Sequence, residues 1–308
     1  MEETSSSVTE LVEPWSTTVR STLLTEAPSA SKTLQGNLGN VTVGAESSFI
    51  INGGNYVING PITINGDNSD FILGGSWQNT GGITLTNGSL TIGGETFLSE
   101  LGTITRTGGT VNLAGTLNLE GGTLTLDNNT GPWRVNDGII RNGTFVGSGL
   151  GTLSFAGQRD NRLDNMTING NLILNETNST FQIDNGLTLN GTVTMITRSG
   201  ISYVGNETIT GTGTIAFDAT NTSRKEIEAT EHDTTLTIGS NITLTGGRAR
   251  IIGSLFFGRR GSLVNEGSIV ADGGQIQIAT TGGTFRNEGS GSTSEINGGT
   301  IVINNPAP

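Results

Sequence analysis

Residues 59–66 read NGPITING, and residues 81–88 read GGITLTNG. In both stretches aliphatic side chains alternate with threonine, which is the period-2 pattern of a β-strand that is buried on one face. A spacing as regular as the one between such segments indicates a structural repeat with two or three strands per unit. The segments recur at steps of 19 to 23 residues and are centred on Thr42, Thr63, Thr84, Thr103, Thr123, Thr144, Thr167, Thr188 and Thr208.

Asn-Gly pairs mark the turns between these strands. Asparagine and glycine both accept the left-handed backbone conformation that a sharp corner requires. An isolated pair signals a hairpin, but a constant repeat favours corners of a coil, in which each strand stacks parallel on its equivalent one turn later. The pairs begin at Asn52, Asn59, Asn65, Asn87, Asn142, Asn169, Asn185, Asn190 and Asn297.

These patterns predict an all-β fold, namely a single-stranded parallel β-helix (β-solenoid) with ~20–21 residues per coil. We expect about 13 coils stacked at about 4.8 Å. Residues 1–36 are expected to form an N-terminal cap or linker, and residues 37–308 the β-solenoid. The threonines should face outward, and the predicted inward positions are Ile62, Ile64, Ile83, Leu85, Leu124, Leu126, Ile168, Leu187 and Leu189.

The amino-acid composition excludes several classes of site and partner. The chain has 49 glycines, no cysteine and a single histidine, His232, so disulfide frameworks, thiolate sites and multi-histidine metal sites are excluded. Its 15 basic and 27 acidic residues give a net charge of −12, without the clustered basic face of nucleic-acid binding. No apolar run approaches the ~18 residues of a membrane-spanning helix. We therefore expect no enzyme activity, no cofactor, no metal, no nucleic-acid partner and no transmembrane segment.

Three sequence segments are similar to those of a known class of protein: GTLTL at 122–126, LVNEGSIVADGG at 263–274 and INGGTIVI at 296–303. They resemble the degenerate repeats of bacterial secreted β-solenoids, the autotransporter passengers and filamentous-haemagglutinin-like adhesins. The resemblance implies a right-handed parallel β-helix and an extracellular or cell-surface module that is structural or adhesive. Its implied partners are a glycan or protein surface ligand, or copies of the chain itself. It identifies no catalytic, cofactor-binding or metal-binding residue.

A polysaccharide-degrading enzyme is the first alternative, because such enzymes also use parallel β-helices. Residues 159–164 read RDNRLD, and Asp160 and Asp164 could serve as acid and base on either side of a glycosidic bond. A self-compensated, solvated turn is the competing interpretation. Trp77 and Trp133 could offer faces for sugar stacking or pack over coil corners, and we assign them no site.

An ice-binding solenoid is the second alternative. Outward threonines in a Thr-x-Thr arrangement would form rows about 4.8 Å apart. Stacked threonine and asparagine side chains also stabilise any solenoid through contacts between coils, so a passive ladder competes with this hypothesis. The candidate ladder consists of Thr63, Thr84, Thr86, Thr103, Thr105, Thr123, Thr125, Thr188, Thr208 and Thr210.

One interval breaks the repeat. Thr208 and the next equivalent, Thr235, are 27 residues apart, and the sequence between them includes RKEIE at 224–228 and EHD at 231–233. We expect this charged interval to be a surface loop extruded from one coil.

Overall fold

The computed structural model describes residues 18–19, 30–32, 36–157, 160–252, 261–280 and 282–304. Its regular structure is nearly all parallel β-strand, stacked as a β-solenoid of about 12 turns, which confirms the predicted fold class. Within these residues there is one helix, α1 (Leu98–Leu101). None of the helices in this part of the chain has the length and apolar character needed to cross a membrane.

The strands are β1 (Thr18–Val19), β2 (Ala30–Lys32), β3 (Gly36–Leu38), β4 (Val41–Val43), β5 (Ser48–Ile58), β6 (Ile62–Ile64), β7 (Asp70–Asn79), β8 (Ile83–Leu85), β9 (Ser89–Ile92), β10 (Glu95–Phe97), β11 (Ile104–Arg106), β12 (Thr110–Leu113), β13 (Thr116–Asn118), β14 (Thr123–Leu126), β15 (Trp133–Val135), β16 (Ile139–Gly147) and β17 (Leu153–Phe155). They continue with β18 (Arg162–Asn169), β19 (Asn171–Leu174), β20 (Ser179–Leu189), β21 (Thr192–Met195), β22 (Ser199–Tyr203), β23 (Glu207–Thr210), β24 (Thr214–Phe217), β25 (Lys225–Ala229), β26 (Thr234–Ile238), β27 (Thr243–Gly246), β28 (Ala249–Ile251), β29 (Gly261–Asn265), β30 (Ser268–Asp272), β31 (Gln275–Ala279), β32 (Phe285–Asn287), β33 (Ser292–Ile296) and β34 (Thr300–Asn304).

Three sheets run along the solenoid, and their strands pair in parallel. The first sheet joins β1, β3, β5, β7, β9, β12, β15, β17, β19, β21, β24, β27, β30 and β33, with β2 paired to β5. The second joins β10, β13, β16, β18, β20, β22, β25, β28, β31 and β34; β14 pairs with β16, and a branch of β23, β26, β29 and β32 starts at β20. The short third sheet joins β4, β6, β8 and β11.

The number of residues per turn follows from the register of the first sheet. Leu172 pairs with Val193, a step of 21 residues, which agrees with the predicted coil. Ile215 pairs with Leu244, a step of 29, and the next step, from Leu244 to Ile269, is 25. Turns after β24 are therefore enlarged, although their strands stack in the same way.

The core is a continuous column of aliphatic and aromatic side chains. All nine residues predicted to face inward are buried, because alternate residues of each strand face the interior. Phe49 stacks on Phe71 one turn later with 5.6 Å between the ring centres. Trp77 and Trp133 are buried in this column too, so neither offers a face for stacking a sugar.

The corners use left-handed backbone at some of the predicted Asn-Gly pairs. Asn142, Asn185 and Asn297 have φ of 57°, 56° and 50°. At the pair that begins with Asn52, the left-handed residue is Asn55, with φ of 57°, and the register of β5 shifts between Gly53 and Tyr56. The dipeptide therefore indicates that the chain bends nearby, but not which residue takes the left-handed conformation.

The charged interval at 224–228 is not an extruded loop, as the sequence predicted, but strand β25 of the second sheet. Lys225 pairs in register with Ser199 and Ala249 on the neighbouring turns. Lys225 faces the interior and is fully buried; its ammonium donates to the carbonyl oxygens of Asp218 at 2.5 Å and Asn221 at 3.1 Å. These bonds let a lysine occupy an inward position, which an alternating apolar pattern does not reveal.

Candidate functional site

A row of five outward positions crosses the second sheet where the turns enlarge. Thr180, Gly200, Glu226, Arg250 and Gln277 are mutually in register on β20, β22, β25, β28 and β31. Neighbouring strands lie about 4.8 Å apart, so the five positions form a continuous line along the outer face, which we call the central row. Two cavities open along it, and each has a different charge.

The glutamate cavity is the first of the two, with a volume of about 250 Å³. Its wall includes the side chains of Glu226, Glu228 and Arg198, and Gly200 lies at its floor. A methyl group on Gly200 would make ordinary contacts, the nearest with Thr180 Cγ2 at 3.4 Å. The space above this glycine is therefore open because the residue has no side chain, and the backbone there does not demand glycine.

Glu226 carries an unusual carboxylate for a surface strand. Its side chain is only 9% exposed, its Oε1 accepts no hydrogen bond from any residue that the structure describes, and the nearest cation is Arg224 Nη1 at 3.7 Å. Burial raises the pKa of Glu226, and the neighbouring charge of Glu228 raises it further. The carboxylate is thus short of hydrogen-bond donors and faces a cavity that could hold one.

The arginine cavity is the second, with a volume of about 340 Å³. Its lining contains Arg224, Arg248 and Arg250 together with Gln275 and Gln277, and no carboxylate occurs among the described residues that line it. Three guanidinium groups in one cavity are a local exception in a chain whose net charge is −12. The arrangement is suited to an anionic group.

The turn after β24 holds one wall of the arginine cavity in place. Asp218 caps this turn, because its Oδ1 accepts from the backbone N–H of Thr220 at 2.8 Å. Arg248 Nε donates to the carbonyl oxygen of Ala219 at 3.2 Å, and buried Lys225 binds the same turn from inside. Desolvation by burial lowers the pKa of Lys225. The internal lysine therefore positions the segment that carries Arg224.

The structure gives different surroundings to Asp160 and Asp164, the acid–base pair proposed from RDNRLD. Arg159 lies outside the described residues, and Asp160 is exposed in the turn before β18. Asp164 accepts a hydrogen bond from Asn185 Nδ2 at 2.7 Å and lies in register with Asp184. Between them Asn161 is fully buried and bonded to the coil. Asp164 thus takes part in contacts between turns.

The threonine ladder divides into separate rows. Thr63 and Thr84 lie in register with Thr105 on the third sheet. Thr103 was expected to continue this row, but it lies just before β11. Ile104 pairs with Ile83, so Thr105 rather than Thr103 lies level with Thr84. The triplet Thr-Ile-Thr contains a single apolar residue, so sequence could not tell which threonine lies level with Thr84. Thr86 is exposed just beyond β8.

The remaining ladder threonines belong to the second sheet. Thr123 lies level with Thr144, whereas Thr125 lies level with Val146. Thr188 pairs with Thr210, and their Oγ1 atoms are 3.1 Å apart. The remaining member, Thr208, pairs with Thr237 rather than with the predicted Thr235. The second sheet thus carries one continuous row of threonines in register, made of Thr123, Thr144, Thr167, Thr188 and Thr210. The ten candidate residues do not all join one ladder.

Comparison with protein-family models, with curated proteins and with solved structures gives no match. Among the described residues no group of three or more His, Cys, Asp and Glu side chains is placed to hold a metal ion. The central row was missed in the sequence because its members come from five turns with unequal steps. The available signal was the concentration of arginine and glutamate in 224–228 and 248–250.

Proposed function

We propose that this chain is a non-catalytic extracellular or cell-surface module, in which a rigid solenoid presents an adhesive outer face. The observation that carries the proposal is the central row, where two polar cavities open side by side on strands with a continuous core beneath them. Side chains on packed strands hold their positions better than side chains on loops. A glycan or protein surface ligand is the partner that such a face would meet.

The location of the protein is proposed from its repeats. The phrases at 122–126, 263–274 and 296–303 resemble those of secreted bacterial β-solenoids. An acidic, cysteine-free rod of stacked turns is consistent with a stalk or surface fibre, in which copies of the chain could also contact one another. Surface exposure and adhesion are separate claims and need separate tests.

Surface exposure can be tested by labelling intact cells of the source organism with an antibody against the chain. Signal on intact cells supports the proposal, and signal only after lysis contradicts it. Adhesion can be tested by binding of the purified, fluorescent chain to cells and to an array of glycans. The test variant is Gly200→Trp, whose indole ring fills the glutamate cavity. The control variant is Gly54→Trp, because no atom lies within 4 Å of a Cβ added at that position.

Glycan cleavage is the second candidate function. One observation favours Glu226 and Glu228 over Asp160 and Asp164 as its acid–base pair. Glu226 and Glu228 are alternate residues on one strand face, so their Cα atoms lie about 7 Å apart. From these positions the two carboxyl groups can adopt the separation of about 5–9.5 Å that glycosidases use between their carboxyl groups. The raised pKa of Glu226 suits a general acid. Release of reducing ends from a polysaccharide, abolished by Glu226→Gln, would replace the non-catalytic proposal.

A further inference from the structure

The arginine cavity has more hydrogen-bond donors than the protein supplies with acceptors. Each guanidinium carries five N–H donors. Arg248 gives one to the carbonyl oxygen of Ala219, and Arg224 lies 3.7 Å from Glu226. Arg250 Nε is buried and has no hydrogen-bond partner among the residues described. A buried donor without an acceptor is unfavourable, so a bound group with several oxygen atoms would be stabilised here.

One ion pair, between Arg224 and Glu226 at 3.7 Å, links the arginines of this cavity to the nearby glutamates, and it leaves Arg248 and Arg250 without a carboxylate partner among the residues described. Glu226, a member of the central row, and Glu228 line the neighbouring glutamate cavity and not the arginine cavity. Arg250 is in register with Glu226, yet the two side chains form no ion pair within 4.0 Å. The charged side chains among the described residues that line the arginine cavity are therefore three arginines. The two glutamates lie beside them as hydrogen-bond acceptors.

The shape and the remaining lining define the ligand further. The planar fork of arginine matches a carboxylate with two parallel hydrogen bonds. Gln275 and Gln277 add neutral amides that can bind hydroxyl groups. A volume of about 340 Å³ lies at the small end of the range for ligand pockets, so it suits one ring rather than a large cofactor.

We propose that the arginine cavity binds the carboxylate of an acidic sugar residue, whose hydroxyl groups reach Gln277 and Glu226. Guanidinium groups provide the charge for the carboxylate, and the buried Glu226 carboxylate accepts from hydroxyl donors. This inference rests on the proposed adhesive function, because it names the ligand of the same outer face. It assigns charge recognition to Arg248 and Arg250, and contact with hydroxyl groups to Glu226.

The direct test is calorimetric titration of the full chain with D-glucuronate and with D-glucose, which differ at the carboxylate. D-glucuronate should bind at least about tenfold more tightly, the effect of one charge-assisted hydrogen-bonded pair. Added salt should weaken its binding. Equal binding of the two sugars, or no binding of D-glucuronate, overturns the proposal.

Variants locate the site. Arg250→Gln and Arg248→Gln should each weaken D-glucuronate binding by about tenfold, whereas Arg286→Gln, at an arginine 62% exposed and paired with Glu288, should leave it unchanged. Arg250 faces outward, so an unchanged unfolding midpoint is expected, and Arg224→Gln provides a second variant if one fails to fold. Unchanged affinity in both Arg248→Gln and Arg250→Gln overturns the assignment.

Competing ligands separate a sugar from other anions. Displacement of D-glucuronate by inorganic sulfate supports a guanidinium site, whereas binding of sulfate without any binding of D-glucuronate overturns the sugar assignment. A blocked Glu-Glu dipeptide that binds as tightly as D-glucuronate would overturn it in favour of an acidic peptide. Cell binding that persists in Arg248→Gln/Arg250→Gln would refute this ligand and leave the adhesive function standing.

Discussion

Arg134 forms a two-point ion pair with Glu176, which lies two turns further along the solenoid. Arg134 Nε donates to Glu176 Oε1 at 2.5 Å, and Nη2 donates to Oε2 at 2.8 Å. The hydrogen bonds from Arg134 lower the pKa of Glu176 below its usual 4.5. The stabilisation is therefore present above a pH of about 4.5 and is lost as the pH falls through the folded-state value.

We expect Arg134→Gln and Glu176→Gln each to lower the free energy of unfolding at pH 7 by less than about 1 kcal/mol, because the two side chains are 35% and 37% exposed and water screens the pair. A double-mutant cycle measured by urea unfolding isolates the pairwise energy. It should shrink toward zero as the pH is lowered below 4. A coupling energy that does not change with pH would contradict this account.

Glu226 should give the opposite dependence on pH. Burial raises its folded-state pKa above the usual 4.5, so its stabilising contribution is fully present below 4.5 and is lost as the pH rises through the folded value. Glu226→Gln should therefore be more stable relative to wild type at pH 7 than at pH 4. Equilibrium unfolding at both pH values measures this difference, and exposed Glu231→Gln is the control that should show none.

The alternation of inward and outward residues can be tested at one strand. Leu124 is 4% exposed and faces the core, whereas adjacent Thr125 is exposed. Leu124→Asp buries a charge without a partner and should cost about 3 kcal/mol or more, measured as a lower unfolding midpoint. Thr125→Asp should change stability by less than about 0.5 kcal/mol. Similar losses in both variants would contradict the register of β14.

The same alternation explains what could be predicted from sequence. Leu124 and Leu126 repeat a local pattern, so their burial follows from two neighbouring residues. Lys225 could not be placed inside, because its burial depends on carbonyl groups of a turn that precedes it. Gly200, Glu226 and Arg250 could not be joined, since the steps between them are 26 and 24 residues. Register across unequal turns is a tertiary property, and the site depends on it.

Asn161 is expected to be the strongest polar contact of its corner. Its Oδ1 accepts from the N–H of Asp137 at 2.8 Å, and its Nδ2 donates to the carbonyl oxygens of Ala156 at 3.1 Å and Thr180 at 2.9 Å. Asn161→Ala leaves these buried groups without a partner and should cost about 2–4 kcal/mol. Exposed Asn171→Ala is the matched control. Thermal unfolding of both variants compares them, and equal midpoints would refute the role of the Asn161 amide.

The threonine rows lead to the last prediction, that the chain has no thermal hysteresis. An ice-binding face requires a long, flat array of hydroxyl and methyl groups, but the outward threonines are divided between two sheets. The third sheet has four strands and carries Thr42, Thr63, Thr84 and Thr105 in register. The second sheet carries Thr123, Thr144, Thr167, Thr188 and Thr210, where the hydroxyl groups of Thr188 and Thr210 bind each other. Hysteresis should be absent in the wild type and in Thr84→Tyr/Thr105→Tyr alike. Hysteresis in the wild type that this double substitution abolishes would show that four strands suffice, and it would return ice binding to first place.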